Sequence, residues 1–213
     1  MANAVDKRVW WFQTPLRQFE GELRDDSLRS LESIAHRGRS STTDVDMFSA
    51  VLSLLDMGAD EVGEICRWRR GGGEKILRLV RKIPYIEIQC SVHPITRSVL
   101  RFKIEIVPIF EWDGRWHGPT LSFWLWIEDG TNQRIYHHEH ITLKKRNHPD
   151  PLSLSVFIPA FEPLPPQYFV RVVSDSWVGS EATTAVSFKH LLLPVSGVCY
   201  TPCFVKHLVV VFS

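Results

Sequence analysis

Cysteine is scarce, with four in 213 residues, at 66, 90, 199 and 203. No apolar run of signal-peptide length opens the chain, where Asp6, Lys7 and Arg8 stand directly before Trp10, Trp11 and Phe12. Together these speak against a disulfide-stapled secreted scaffold and predict an intracellular thiol set. Net charge is nearly absent too, at +1, so no global electrostatic argument for a nucleic-acid, membrane or acidic partner exists and any such case rests on local clustering. The one segment near membrane length, 195–213, is interrupted by Pro202, Lys206 and His207, and no membrane partner is expected. No repeat or low-complexity tract occurs beyond three consecutive glycines. What is present, 44% hydrophobic and 23% charged residues, suffices to bury a core in one or two domains.

Catalytic signatures are missing as well. The segment GGGEK at 71–75 lacks the spacing and the preceding strand of a phosphate-binding P-loop, and no acidic box stands ready to hold magnesium. Neither an ATP site nor a cofactor is expected, and the chain by itself is not an enzyme. No serine, histidine and aspartate set with a nucleophile elbow occurs, and Asp113 with His117 reads as loop chemistry. His137, His138, Glu139 and His140 alternate across a strand, so at most two ring nitrogens converge, and surface or cross-strand histidines are favoured over zinc. Cys199, Cys203 and His207 lack a fourth ligand. No metal site is assigned.

Hydrophobic periodicity divides the chain. Leu23, Leu28, Leu31 and Ile34 predict one short helix, and AHRGRSSTT at 35–43 reads as a linker before a cap at Asp44 or Asp46. Met47, Phe48, Val51, Leu52, Leu54 and Leu55 predict a helix stopped by Gly58, a second starts near Asp60 with Val62 and Ile65 inside, and a third spans 74–83 before Pro84. Beyond Pro84 the period falls to two. Strands are expected at 86–93, 98–109, 121–128, 134–143, 152–159, 167–174 and 184–192, the number of an immunoglobulin-like or fibronectin-like sandwich. In FEPLPPQYFVRVVSDSW, Pro163, Pro165 and Pro166 hold the chain extended before Tyr168, Val170 and Val172 point one way and Phe169, Arg171 and Val173 the other. The fold class is therefore α+β, with N-terminal helices and a helix-loop-helix followed by an all-β sandwich of about seven strands. Trp112, Trp116, Trp124 and Trp126 are expected as core and loop anchors, with a partner-facing aromatic patch as the alternative.

The charge that the average conceals lies in CRWRRGGGEKILRLVRK at 66–82, where Arg67, Arg69, Arg70, Lys75, Arg78, Arg81 and Lys82 face the single acid Glu74. This is a phosphate-binding composition, and glycines opening a helix would present backbone N–H groups to an anion. Such a hairpin would grip a nucleic-acid backbone without reading its sequence. The alternative is a solvated basic face, or one paired with acids such as Asp60, Glu61 and Glu64. The residues assigned to phosphate contact, which the resemblance described below makes RNA phosphate, are Arg67, Arg69, Arg70, Lys75, Arg78 and Arg81.

Several long segments stand in one order: TPLRQF at 14–19, LLDMGADEVGEICR at 54–67, HPITRSVLRFKIEI at 93–106, FEWDGRWHG at 110–118, FWLWIEDGTNQRIYHHEH at 123–140, then FEPLPPQYFVRVVSDSW and VSFKHLLLP at 186–194. Over residues 10–194 the chain resembles the Brl (Sec-sixty-three type) domain of double-cassette DExH-box RNA helicases, nearest to the spliceosomal branch that unwinds paired small nuclear RNAs, with the activating-signal-cointegrator branch next. The resemblance implies the end of a helical bundle plus linker at 1–43, a helix-loop-helix near the RNA path at 44–84, a fibronectin-like or immunoglobulin-like sandwich at 85–194 and a divergent tail at 195–213. It transfers no catalytic residue. It implies a non-catalytic module, a fragment or paralogue, that guides RNA and docks helicase motor domains and spliceosomal or other ribonucleoprotein partners in the nucleus, or alternatively the cytoplasm. The rival expectations are part of an active ATP-dependent RNA helicase, and a structural module like that of the endoplasmic-reticulum translocation J-protein. The 35–46 insertion and the 195–213 tail depart from the family pattern.

Overall fold

The computed structural model describes residues 7–10, 12–37, 47–68, 70–130, 134–160 and 165–188. The chain forms two compact units. The first takes residues 1–85 together with two loops, 109–121 and 174–180, and the second takes 86–108, 122–173 and 181–213.

The first unit is helical. A 3-10 turn, Pro15–Gln18, starts at Thr14, whose hydroxyl accepts from the Leu16 N–H, with proline at the first helical position where its missing N–H costs nothing. Helix α1, Asp25–Arg37, carries Asp25 and Asp26 in its first turn against the positive end of the helix dipole, and buries Leu28 and Leu31. It therefore runs three residues into the segment read as linker; 38–46, including the expected caps Asp44 and Asp46, lies outside the described residues. Helix α2, Met47–Leu52, tightens into a 3-10 turn, Ser53–Asp56, and buries Met47, Phe48, Val51 and Leu54. Helices α3, Ala59–Ile65, and α4, Gly72–Val80, complete the set. Helix α4 begins and ends earlier than the expected 74–83, because turn residues 81–83 already lead into Pro84.

The loops of this unit are anchored rather than free. Gln18 is buried and its amide clasps the Val178 peptide, donating to its carbonyl at 3.0 Å and accepting from its N–H at 2.9 Å. Phe19 packs edge-on against Trp116 at 5.1 Å and tilted against Trp177 at 5.2 Å. A short helix α5, Gly114–His117, sits in the 109–121 loop, capped by Asp113. Buried His117 accepts the Asp113 N–H at Nδ1, which leaves Nε2–H to donate to the Lys82 carbonyl at 2.8 Å. WDGRWHG is thus a local fold of hydrogen bonds and rings.

The second unit is a sandwich of seven strands. One sheet has the order β1-β2-β5, with β1 Ile86–Thr96, β2 Val99–Pro108 and β5 Leu152–Pro159. The other has the order β4-β3-β6-β7, with β3 Thr120–Asp129, β4 Ile135–Lys144, β6 Gln167–Ser174 and β7 Glu181–Ser187. Pairing is antiparallel, and the fold class is α+β as expected. Alternation fixes the core: Leu100, Phe102, Ile104 and Ile106 of β2, Phe123, Leu125 and Ile127 of β3, and Tyr168, Val170 and Val172 of β6 are all fully buried. Strand β7 starts three residues before the expected 184, since Ser174 closes a tight turn by accepting the Ser176 and Trp177 N–H groups at its hydroxyl. The remainder of the expected strand, 189–192, lies outside the described residues, as do Phe161–Leu164 and the tail.

Candidate nucleic-acid interface

Helices α3 and α4 form a hairpin around Gly63 and Gly73. A Cβ on Gly73 would lie 1.7 Å from the Ala59 carbonyl oxygen and 2.9 Å from the Gly63 nitrogen, so the two backbones cross where no side chain fits. A Cβ on Gly72 would meet the Trp68 side chain at 2.3 Å. Gly72 and Gly73 are therefore packing residues and are buried. The cleft at this end, about 390 Å³, is lined by Asp60, Glu64 and Glu74 against Arg70, a balance that repels an anion. The glycines do not present the open cradle that composition suggested.

The turn between the helices holds Arg67 at φ 53°, Arg70 at φ 62° and Gly71 at φ 75°. Left-handed backbone suits glycine but costs each arginine about 1 kcal/mol. Both arginine side chains are exposed, as are Arg78 and Arg81 on the outer side of α4, whose opposite side buries Ile76, Leu77, Leu79 and Val80. None of these four guanidinium groups has a hydrogen bond or ion pair among the described residues. Arg69 lies outside them.

Lys75 is different. Its ammonium pairs with Glu22 at 3.0 Å and stands 5.7 Å from the Trp68 ring centre, while Arg24 lies 5.3 Å from the same ring. Lys82 pairs with Asp113 at 2.6 Å. Among the described residues, the acids that answer the basic window are thus Glu22 and Asp113, distant in sequence, and not the neighbouring Asp60, Glu61 and Glu64. Beside the cations, Leu52, Leu55, Val80, Tyr85, Ile109 and Phe110 line an apolar groove of about 640 Å³ with Arg81 on its rim.

A family model of the Sec63 Brl domain matches residues 1–187. The chain belongs to the Sec63 Brl domain family. Its relatives include the U5 small nuclear ribonucleoprotein 200 kDa helicase of Drosophila melanogaster, 39% identical over 91% of this chain and 8% of that protein. The DExH-box ATP-dependent RNA helicase DExH12 of Arabidopsis thaliana is 40% identical over 91% and 8%. Activating signal cointegrator 1 complex subunit 3 of Danio rerio is 39% identical over 91% and 12%. This chain therefore spans about a tenth of the length of these relatives or less. Among solved structures, a glycosyl hydrolase family 2 member from Bacteroides cellulosilyticus is 12% identical over 49% of this chain and 15% of its own, with a TM-score of 0.37. So weak a likeness carries no argument.

Elsewhere the Brl chain offers little chemistry. Among the described residues no group of three His, Cys, Asp or Glu side chains is placed to hold a metal ion. His137 and Glu139 approach at 3.4 Å, and His140 packs against the Trp124 ring at 4.8 Å. Cys199, Cys203 and His207 lie outside the described residues. Burial pushes the Cys66 thiol up to about 11 and the Cys90 thiol up to about 12, so both stay protonated and unreactive at neutral pH. Trp112 and Trp116 are loop anchors as expected. Trp124, between buried Phe123 and Leu125, instead turns outward at 44% exposure and is not a core anchor. Trp126 donates to Glu128, which Arg171 pairs at 2.6 Å.

Three carboxylates in the helical unit are held below their usual range: Glu22 by the hydrogen bond from Lys75 and then Arg115, Asp25 by Arg17, and Asp113 by Lys82. Groups depressed in the folded state bind fewer protons there than when unfolded. Their stabilisation is complete above the ordinary carboxylate range and is lost as pH falls through the lower folded values. Urea unfolding from about pH 6 down to about pH 3 is expected to show falling stability, with a shallower fall in the Glu22→Gln, Asp25→Asn, Asp113→Asn triple variant.

Proposed function

We propose that this chain is the non-catalytic Brl module of an ATP-dependent RNA-helicase cassette, a fragment or paralogue that guides RNA and docks protein partners in ribonucleoprotein assembly and pre-mRNA splicing, in the nucleus. The observation that carries the reading is the set of four exposed arginines, Arg67, Arg70, Arg78 and Arg81, without an ion pair among the described residues, in a chain of the Brl family. Arg69 is assigned to the same contact from its place in the sequence, and Lys75 contributes once an RNA phosphate competes with Glu22. Such guanidinium groups break no ion pair among the described residues when they turn towards a phosphate backbone, and they read no sequence. The proposed division is a bundle end at 1–43, helix-loop-helix at 44–84, sandwich at 85–194 and tail at 195–213. The apolar groove beside Arg81 supports protein docking by the same face. Motor domains and spliceosomal proteins are the proposed partners.

Reversal of Arg67, Arg70, Arg78 and Arg81 to glutamate is expected to weaken RNA binding at least tenfold and to reduce the steepness of log affinity against log salt by about 3. Fluorescence anisotropy with a labelled RNA across a salt series measures both. Unchanged affinity and slope would overturn the assignment. A second reading, part of an active helicase, is favoured by the small share of each relative that the chain spans. Upstream motor peptides in the native polypeptide would establish it.

A further inference from the structure

The β1-β2-β5 sheet has one face in the sandwich core and the other in solvent, and its register fixes what the outer face presents. Inward pairs are Cys90 with Ile104, Val92 with Phe102 and Pro94 with Leu100, continued on β5 by Leu154, Val156 and Ile158. The outward residues therefore form rows across the three strands: His93, Arg101 and Phe157 in one, Ser91, Lys103 and Ser155 in the next, and Val99 beside Pro159 at the β1–β2 turn. Phe157 is 60% exposed and Ile95, near the same turn, 47%. A large aromatic ring left on an open sheet face, directly across from a guanidinium, is not explained by the core.

Two features point to an anionic ligand. Arg101 is half-buried and its Nε, shielded from solvent, has no hydrogen-bond partner among the described residues, a state that buried donors seldom keep. Lys103 is exposed and carries no ion pair there either. Across these two rows stand two cations unpaired among the described residues, an imidazole and a phenyl ring, with no carboxylate; the next outward row carries Glu105, about 7 Å beyond Lys103, and Glu87 lies beyond that. Arg101 and Lys103 are two residues apart on one face, a spacing of about 7 Å that can follow successive phosphates of an extended strand. Phe157 beside them offers a flat ring for a base. A cationic track next to an exposed aromatic ring is the combination that binds single strands without sequence preference.

We propose that the outer face of β1-β2-β5, through Arg101, Lys103, Phe157 and His93, is a second nucleic-acid surface that holds a single strand by phosphate pairing and base stacking. It belongs to the sandwich unit and does not depend on the cations of the α3–α4 hairpin.

The full chain titrated against a fluorescein-labelled oligouridylate of about 12 nucleotides tests this. Phe157→Ala is expected to weaken binding about fivefold or more, Phe157→Trp to restore it, and Lys103→Glu to flatten the salt dependence. The same losses are expected when Arg67, Arg70, Arg78 and Arg81 are already reversed, which separates this surface from the hairpin. Both side chains are exposed, so an unchanged thermal melt will accompany the loss. Full affinity in Phe157→Ala and Lys103→Glu would overturn the proposal. So would a glutamate-rich peptide that binds in a Phe157-dependent manner where oligouridylate does not, because the surface would then serve an acidic protein segment.

Discussion

Gly73→Ala is expected to destabilise the helical unit by about 3 kcal/mol or more, through overpacking that the backbone cannot relieve. The added methyl would meet the Ala59 carbonyl at 1.7 Å, and that oxygen belongs to the first turn of α3 and cannot swing away as a side chain does. The helices must separate, and with them the burial of Val62 and Ile76, both fully buried. Gly72→Ala should cost less, about 1 to 2 kcal/mol, because the obstacle is the Trp68 side chain. Gly58→Ala, with nothing within 4 Å, should change stability by less than about 1 kcal/mol, because the N-cap preference for glycine over alanine is offset by the lower entropy of the unfolded alanine chain. Hydrogen exchange of the α3 and α4 amides reads the effect locally. Equal protection in the Gly73 and Gly58 variants would refute the close crossing. It would also reopen the glycines as an exposed anion cradle.

Tyr168→Ala should cost the sandwich about 4 kcal/mol. The ring is fully buried, stacked on Tyr136 at 4.6 Å and on Phe102 at 6.1 Å, and met edge-on by Phe188 at 4.7 Å. Truncation removes three aromatic contacts and leaves a cavity that two sheets of large side chains cannot close. Tyr168→Phe isolates the hydroxyl, which is buried without a hydrogen-bond partner among the described residues and whose ionisation burial pushes above the usual range. It should change stability by less than about 1 kcal/mol, since no hydrogen bond is lost. Urea unfolding of the two variants separates packing from polarity, and a small loss in Tyr168→Ala would contradict the assigned core.

The sandwich was legible because a period of two survives in β2, β3, β5 and β6: the inward residues of β2 and β6 were readable from alternation alone, and Pro, Gly and Asp clusters marked the turns. The start of β7 was not, since it depends on the Ser174 hydroxyl closing a turn over the Ser176 and Trp177 N–H groups. In the hairpin, local composition identified the cations but not their state. Lys75 and Lys82 are answered by Glu22 and Asp113, contacts set by tertiary placement and invisible in a local window. The triple glycine permitted two readings, exposed donors or close helix crossing, and only the position of Ala59 decides between them. Trp124 likewise could face either way until its buried neighbours Phe123 and Leu125 fixed the alternation. His117 escaped as a structural residue because its ring bridges Asp113 and the Lys82 carbonyl across 35 residues.

Capture of the native protein with an antibody to the β1–β2 hairpin, followed by mass spectrometry of the captured material, decides whether this module serves a helicase. Peptides of a DExH motor are expected, either in the same polypeptide, far larger than 24.6 kDa, or in a motor protein captured with a free chain of that mass. A band near 24.6 kDa with motor peptides in neither place would contradict the proposed role.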